Sequence, residues 1–136
     1  MTRSAILVTG SRNWTDVATI TDRLSRFAPG TVLIHGDCGG ADKIASCCGA
    51  SLGFEVIAMP APWDRYASEG RRNKAGPDRN GAMLRMLKLL RWTNAYECVV
   101  EAFPMPDSRG TRGMIRLAEE AEFAVRVTEG MVVKCY

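Results

Sequence analysis

Along the chain, continuous apolar runs alternate with segments in which apolar residues recur every three to four positions. The runs "SAILVT" (4–9), "TVLIHG" (31–36), "FEVIAM" (54–59), "AYECVVEAF" (95–103) and "FAVRVT" (123–128) have the length and composition of strands. Val17, Ile20, Leu24 and Phe27 share one face of a helix predicted over 15–28, with Thr15 as N-cap and Pro29-Gly30 as its stop. Ala41, Ile44, Ala45, Cys48 and Leu52 do the same over 41–52, closed by Gly53. Met83, Leu84, Met86, Leu87 and Leu90 mark a third helix over 79–92, and 111–122 reads as a fourth. Residues 60–78, rich in proline, glycine and charge, read as a long irregular segment, a kind that in compact domains is functional or disordered. The segment "EGMVVKCY" (129–136) reads as a short tail that adds an edge strand or packs across a face.

Strand–helix alternation that ends on a strand predicts an α/β fold: a doubly wound parallel sheet of about five strands, covered by helices on both faces. Several strands are apolar throughout, as strands covered on both sides should be. The length fits a single domain, 1–136, with a core at 4–128 and the tail at 129–136.

Apolar residues make up 46% of the chain, enough for a sizeable core. No run approaches the roughly 18 apolar residues of a membrane helix, and "AILV" near the start is too short for a signal-peptide core. A soluble, cytoplasmic protein is expected, with no membrane partner. The formal net charge of +3 is mild for a dedicated DNA-binding domain. Its distribution is uneven, since Arg65, Arg71, Arg72, Lys74, Arg79, Arg85, Lys88 and Arg91 face only Glu69 and Asp78 in the same stretch. That is either a basic surface or a solvated helix face with a loop. The five cysteines, Cys38, Cys47, Cys48, Cys98 and Cys135, form no Cys-x-x-Cys and read as reduced thiols. Cys38 lies near His35, but zinc needs more ligands, so no metal is expected.

In open parallel sheets, ligands sit beyond the carboxyl ends of the strands, where strand order reverses. The segments there are "GSRNW", "GDCGGAD", "PAPWDRY" and "PMPDSRGT". Three of the four combine glycine or proline with arginine or aspartate. "GGAD" and "SRGT" each lead into a helix, whose free N–H groups and dipole attract anions. Arg12 and Arg109 can grip a phosphate bidentately, and Ser11, Ser108 and Thr111 can donate hydroxyls. "GPDRN" opens the third helix and places Arg79 and Asn80 on its first turn, facing the same edge. Trp63 or Tyr66 could stack on a base, or Trp63 could cap the core. Neither a G-x-G-x-x-G after the first strand nor a P-loop occurs.

The ordered motifs "ILVTGSRNW", "HGDCGGAD", "APWDRY", "AGPDRNGAML" and "FPMPDSRGTRGMI" resemble the SLOG superfamily, named for the SMF/DprA and LOG proteins. The likeness is greatest to its small stand-alone YspA-like, cpYpsA-related members, and it covers about residues 4 to 128. The resemblance implies a Rossmann-like fold and a site for nucleotides or nucleotide-derived molecules such as ADP-ribose-like signals. By motif, Gly10, Ser11 and Arg12 would form the first wall, and Gly36, Gly39, Gly40 and Asp42 the second. Arg79 and Asn80 would come from the third helix. Ser108, Arg109, Gly110 and Thr111 correspond to the Pro-Gly-Gly-x-Gly-Thr phosphate loop of LOG enzymes, which cleave the N-glycosidic bond of nucleoside monophosphates. Those enzymes carry a glutamate just after that Gly-Thr. Here Arg112, Gly113 and Met114 follow, and the first downstream acid is Glu119.

The missing glutamate favours a binding module that senses or sequesters a nucleotide-derived ligand, without a cofactor. The alternative is an N-glycosidic hydrolase in which Asp42 or Asp64 supplies the carboxylate. A second alternative, single-strand nucleic-acid binding, has the support of the basic stretch with Trp63, Tyr66 and Trp92. A homo-oligomer, paired through helices, is the expected assembly; the third helix is apolar around much of its circumference.

Overall fold

The computed structural model describes residues 2–131. In chain order it contains β1 (Arg3–Gly10), α1 (Val17–Leu24), β2 (Val32–His35), α2 (Ala41–Ser51), β3 (Glu55–Ala58), α3 (Trp63–Ser68), α4 (Arg72–Trp92), β4 (Tyr96–Phe103), α5 (Arg109–Glu120) and β5 (Ala124–Val127). The five strands form one sheet in the order β3-β2-β1-β4-β5, and every neighbouring pair is parallel. This is a Rossmann-like α/β fold. The order reverses between β1 and β4, which pair along eight residues from Arg3–Tyr96 to Gly10–Phe103.

Alternation along β1 divides the core in two. Ala5 and Leu7 point to one face, where they pack with Met83, Leu84 and Leu87 of α4 and Met114 and Ala118 of α5. Ile6 and Val8 point to the other, against Ile20 and Leu24 of α1 and Ala41 and Ala45 of α2. Each face buries its own apolar set, so the central strands are apolar along most of their buried length, with Glu101 of β4 the charged exception. At the edges, Val56 and Ile57 of β3 are only half-buried, because one neighbour is missing.

Several boundaries differ from the sequence expectation. The N-cap of α1 is Asp16, not Thr15: its carboxylate accepts from the Thr19 amide at 3.1 Å and from the Thr19 hydroxyl at 2.5 Å. A carboxylate beside a helix N-terminus outcompetes a neighbouring hydroxyl for that position. The helix ends at Leu24 rather than 28, and Phe27 turns back to bond the Leu24 carbonyl. Helix α5 starts at Arg109, two residues earlier than expected: Ser108, at φ −80 and ψ 79, is its N-cap, and the Ser108 carbonyl accepts the Arg112 amide at 3.0 Å.

The largest correction concerns 60–78, which is mostly helical rather than irregular. Helix α3 and the first two turns of α4 form a hairpin around Ala61, Tyr66 and Ala75, with Trp63 packed on them. The Tyr66 hydroxyl donates to Asp78 Oδ2 at 2.8 Å. Pro77 lies inside α4, where it forgoes one backbone hydrogen bond. Burial of Tyr66 and Ala75 offsets that loss, a tertiary gain that local propensity does not report. The arginines here pack on the chain's own rings. Arg65 and Arg71 lie 5.3 and 4.6 Å from the Tyr66 centroid, and Arg72 lies 5.2 Å from that of Trp63.

The start of the expected tail folds back on the loop after β4. The Gly130 amide donates to the Pro104 carbonyl at 2.8 Å, and Glu129 pairs with Arg112. Residues 132–136, including Cys135, lie outside the described residues. Among the described residues, no helix is long and apolar enough to cross a membrane.

Candidate functional site

The loops that leave β1 and β4 diverge at the reversal of strand order and open a cavity of about 370 Å³ between them. Its walls are Gly10, Ser11 and Arg12 after β1, Asp42 of α2, Arg79 and Asn80 of α4, and Ser108 to Thr111 at the start of α5. The volume lies in the range of small-molecule sites.

The wall at α5 is the one suited to an anion. The amides of Gly110 and Thr111 belong to the first helical turn, where no carbonyl four residues back is available within the helix. No acidic residue lies in that turn. Ser108 Oγ accepts from the Met105 amide at 2.9 Å, which fixes the loop and leaves the hydroxyl hydrogen free to donate. Arg109 and Arg12 are exposed at the rim, so their guanidinium groups can close over a phosphate.

The start of α2 behaves differently, although the sequence suggested an anion site at both helices. Asp42 occupies its first turn, and a carboxylate there repels a second anion. Oδ2 of Asp42 accepts from the amides of Gly36 at 3.0 Å and Cys38 at 3.3 Å, tying the loop after β2 to the helix. Its other oxygen, Oδ1, is buried and has no hydrogen-bond partner. Asp42 is 5% exposed. Burial pushes its pKa up to about 6, against the opposing pull of the Cys38 amide, Arg79 and the Gly36 amide.

Gly36, Gly39 and Gly40 stand behind the cavity rather than lining it. At Gly40, whose φ is +67 and ψ −124, a side chain would overlap the Ser11–Arg12 backbone. A side chain at Gly36 would collide with the Arg79 guanidinium, which bonds the Gly36 carbonyl. Arg79 also reaches the Met59 carbonyl at 3.4 Å and Cys38 Sγ at 3.6 Å, and its Nε donates to Asn80 Oδ1 at 3.0 Å. Arg79 and Asn80 face the cavity from the third turn of α4, not the first, since the helix begins seven residues earlier.

Trp63 and Asp64 do not join this site. Trp63 packs in the α3–α4 hairpin, and Asp64 is exposed on α3 away from the cavity. Tyr66 borders a neighbouring groove of about 520 Å³, with Met59, Pro60, Pro77 and Arg85, and Arg79 divides that groove from the cavity. Thr9, Asn13, Cys38, Met83 and Asp107 also line the cavity and were missed as site residues. Asn13, Cys38 and Asp107 sit inside the loops "GSRNW", "GDCGGAD" and "PMPDSRGT", so three of the five had a positional signal. Among the described residues, no three His, Cys, Asp or Glu side chains gather as a metal site.

Ionised Asp42 destabilises the fold. With a folded pKa near 6 and an unfolded one near 3.8, the native state holds its proton more tightly. The cost is absent below about pH 4, develops as the pH rises, and reaches the order of 3 kcal/mol above pH 6. Asp42→Asn retains an acceptor for the two amides. It is therefore expected to match the wild type at pH 4 and exceed it in melting temperature at pH 7. A variant less stable than the wild type at pH 7 would sink this reading of the burial.

Together the sheet order and the cavity define a Rossmann-like α/β protein with its cleft at the strand reversal. The sequence pattern of the YspA, cpYpsA-related SLOG family matches residues 4–66. The Gene 61 protein of Mycobacterium phage D29 is 35% identical over 124 residues, which span 88% of this chain and 92% of that protein. The chain belongs to the YspA, cpYpsA-related SLOG family.

Proposed function

We propose that the protein binds a nucleotide-derived ligand, such as an ADP-ribose-like molecule, and senses or sequesters it. The observation that carries this reading is the convergence of Arg12, Arg79 and Arg109 with the acid-free N-terminus of α5 in one cavity. A phosphate there would gain charge-assisted hydrogen bonds and a favourable helix dipole. Family membership supports a nucleotide-related role.

Replacing Arg109 by Ala is expected to weaken binding of a phosphate-bearing nucleotide about 10- to 100-fold, the loss of one charged hydrogen-bonding group. Arg109 is exposed, so the fold should survive. A titration with AMP or ADP-ribose checks this, and equal dissociation constants for mutant and wild type would remove the phosphate from α5.

A second reading, N-glycosidic hydrolysis, is favoured by Asp42 alone. A buried carboxyl with a pKa near 6 and one free oxygen suits acid–base chemistry near neutral pH. Glu119, the first acid after the phosphate loop, does not line the cavity. Chromatography of the nucleotide after prolonged incubation separates the readings: intact ligand supports binding, and released base supports the enzyme.

A further inference from the structure

We propose that a second copy of this chain packs antiparallel on the outer face of α4, so that Trp92 of each copy fills the groove beside Tyr66 of the other. Helix α4 buries Met83, Leu84 and Leu87 against the sheet. On its opposite side Asp78, Ala82, Arg85, Leu89 and Trp92 recur at alternating spacings of four and three, the seam of a helix that pairs with another helix. Two of them are large and apolar, yet Leu89 is 61% exposed and Trp92 79%. Leu117 of α5 is also exposed, and Arg91 ties the end of α4 to the Ala121 carbonyl just past α5. Half of the six exposed large apolar side chains among the described residues therefore lie toward one end of the α4–α5 pair.

The other end of the same face is concave. The groove of about 520 Å³ is lined there by Pro62, Tyr66, Pro77, Gly81 and Ala82, with Asp78 and Arg85 of the seam. Small residues at one end and a large ring at the other make the face complementary to itself when it is turned end for end. A two-fold axis across the middle of the seam sets Trp92 of the partner subunit on Gly81 and Ala82. Charge favours the same arrangement. Asp78, the only acid in α4, and exposed Lys88 have no ion pair among the described residues. Antiparallel helices bring each Asp78 toward Lys88 of the partner subunit, whereas parallel ones would set Asp78 on Asp78 and Arg85 on Arg85. Asp78 Oδ2 accepts the Tyr66 hydroxyl, and its Oδ1 accepts nothing among the described residues, so it can take the indole N–H of Trp92 of the partner subunit. Arg85 can lie on the face of that ring. Covering Leu89, Trp92 and Leu117 with an equal area of groove, twice by symmetry, removes roughly 1,500 Å² from water, within the range of a stable dimer.

Sedimentation velocity over a dilution series, read together with tryptophan fluorescence, tests the pairing. Wild type should sediment as a dimer when concentrated and dissociate on dilution. Trp14 is buried and Trp63 packs in its hairpin, so Trp92 alone changes surroundings. Dilution should shift the emission to the red and increase quenching by acrylamide. Trp92→Ala removes two insertions per dimer and should raise the dissociation constant at least about 100-fold. Gly81→Gln obstructs the groove and should weaken pairing by a similar factor. A Cβ at Gly81 meets only the Arg85 guanidinium, at 3.4 Å, and glycine is a poor helix former, so this variant keeps its fold. The Trp92→Ala copy retains an open groove and the Gly81→Gln copy retains its Trp92. A mixture of the two should therefore pair more tightly than either alone. Circular dichroism spectra matching wild type confirm that both variants are folded.

A wild type that stays monomeric throughout would leave the seam to another partner and overturn the proposal. Wild-type dissociation constants in Trp92→Ala or in Gly81→Gln would put the interface elsewhere and overturn it too. A mixture no tighter than its components would overturn the exchange of Trp92 between copies.

Discussion

Gly40→Ala is expected to lower stability by at least about 3 kcal/mol and to weaken nucleotide binding more than about 100-fold. Two costs add at this position. The backbone at φ +67 and ψ −124 is a conformation that L-residues avoid, worth roughly 1–3 kcal/mol of strain. The new Cβ would also overlap the Ser11 carbonyl oxygen and lie 2.5 Å from Arg12 C and O. Those are main-chain atoms and cannot rotate away. The Ser11 carbonyl already accepts the Ala41 amide at 3.0 Å, so pushing it moves the loop after β1 and the start of α2 together. Both carry cavity residues. Chemical denaturation and nucleotide titration of the same variant check the two losses. A variant of wild-type stability would mean that the two loops are not in contact as described.

Arg23→Ala is expected to cost about 3 kcal/mol, by leaving a buried carboxylate short of its partner. Glu101 is 0% exposed in the middle of β4, and it accepts from Arg23 Nε and Nη2 at 3.2 and 3.3 Å. Arg126 of β5 is 3.6 Å away, but its side chain is 54% exposed and compensates only in part. Together the three side chains join α1, β4 and β5. Replacing both partners, Arg23→Met with Glu101→Leu, removes the charges together and is expected to stay within about 1 kcal/mol of wild type. Urea unfolding midpoints of the single and double variants decide it. A single variant as stable as the double one would show that Arg126 satisfies Glu101 unaided.

The elements of the fold were largely legible from period and composition. Runs such as "SAILVT" and "AYECVVEAF" are apolar because β1 and β4 are covered on both faces, and burial writes itself directly into sequence. The hairpin of α3 and α4 was not legible. Gly76 and Pro77 argue against a helix locally, and only Tyr66 and Ala75, buried against each other, make it favourable. Trp63 illustrates the same limit. An aromatic residue in a loop-like segment suggests a stacking platform, but the helix it belongs to turns it onto its own hairpin.

Much of the cavity lining was foreseeable, for a different reason. Ser11, Arg12, Ser108, Arg109, Gly110 and Thr111 follow strands, and a parallel sheet gathers all its strand ends on one edge. Asp107 and Asn13 sit beside those residues in the same loops. Thr9 and Met83, buried on regular elements, carry no mark that separates a cavity wall from core.

The sequence by itself determined the alternation of strands and helices, the family, and the loops able to meet a ligand. These depend on local pattern and on motif residues in a fixed order. The tertiary structure alone decided that β1 and β4 are neighbours, so that their loops part to form a cavity. It also decided that the two glycine-led helix starts differ: the first turn of α5 holds no acid, and that of α2 holds Asp42, bonded to the loop after β2. The reason is physical: hydrogen-bond partners and desolvation depend on which segments meet, and one oxygen of Asp42 is satisfied while the other is stranded only because β2, α2 and α4 converge there.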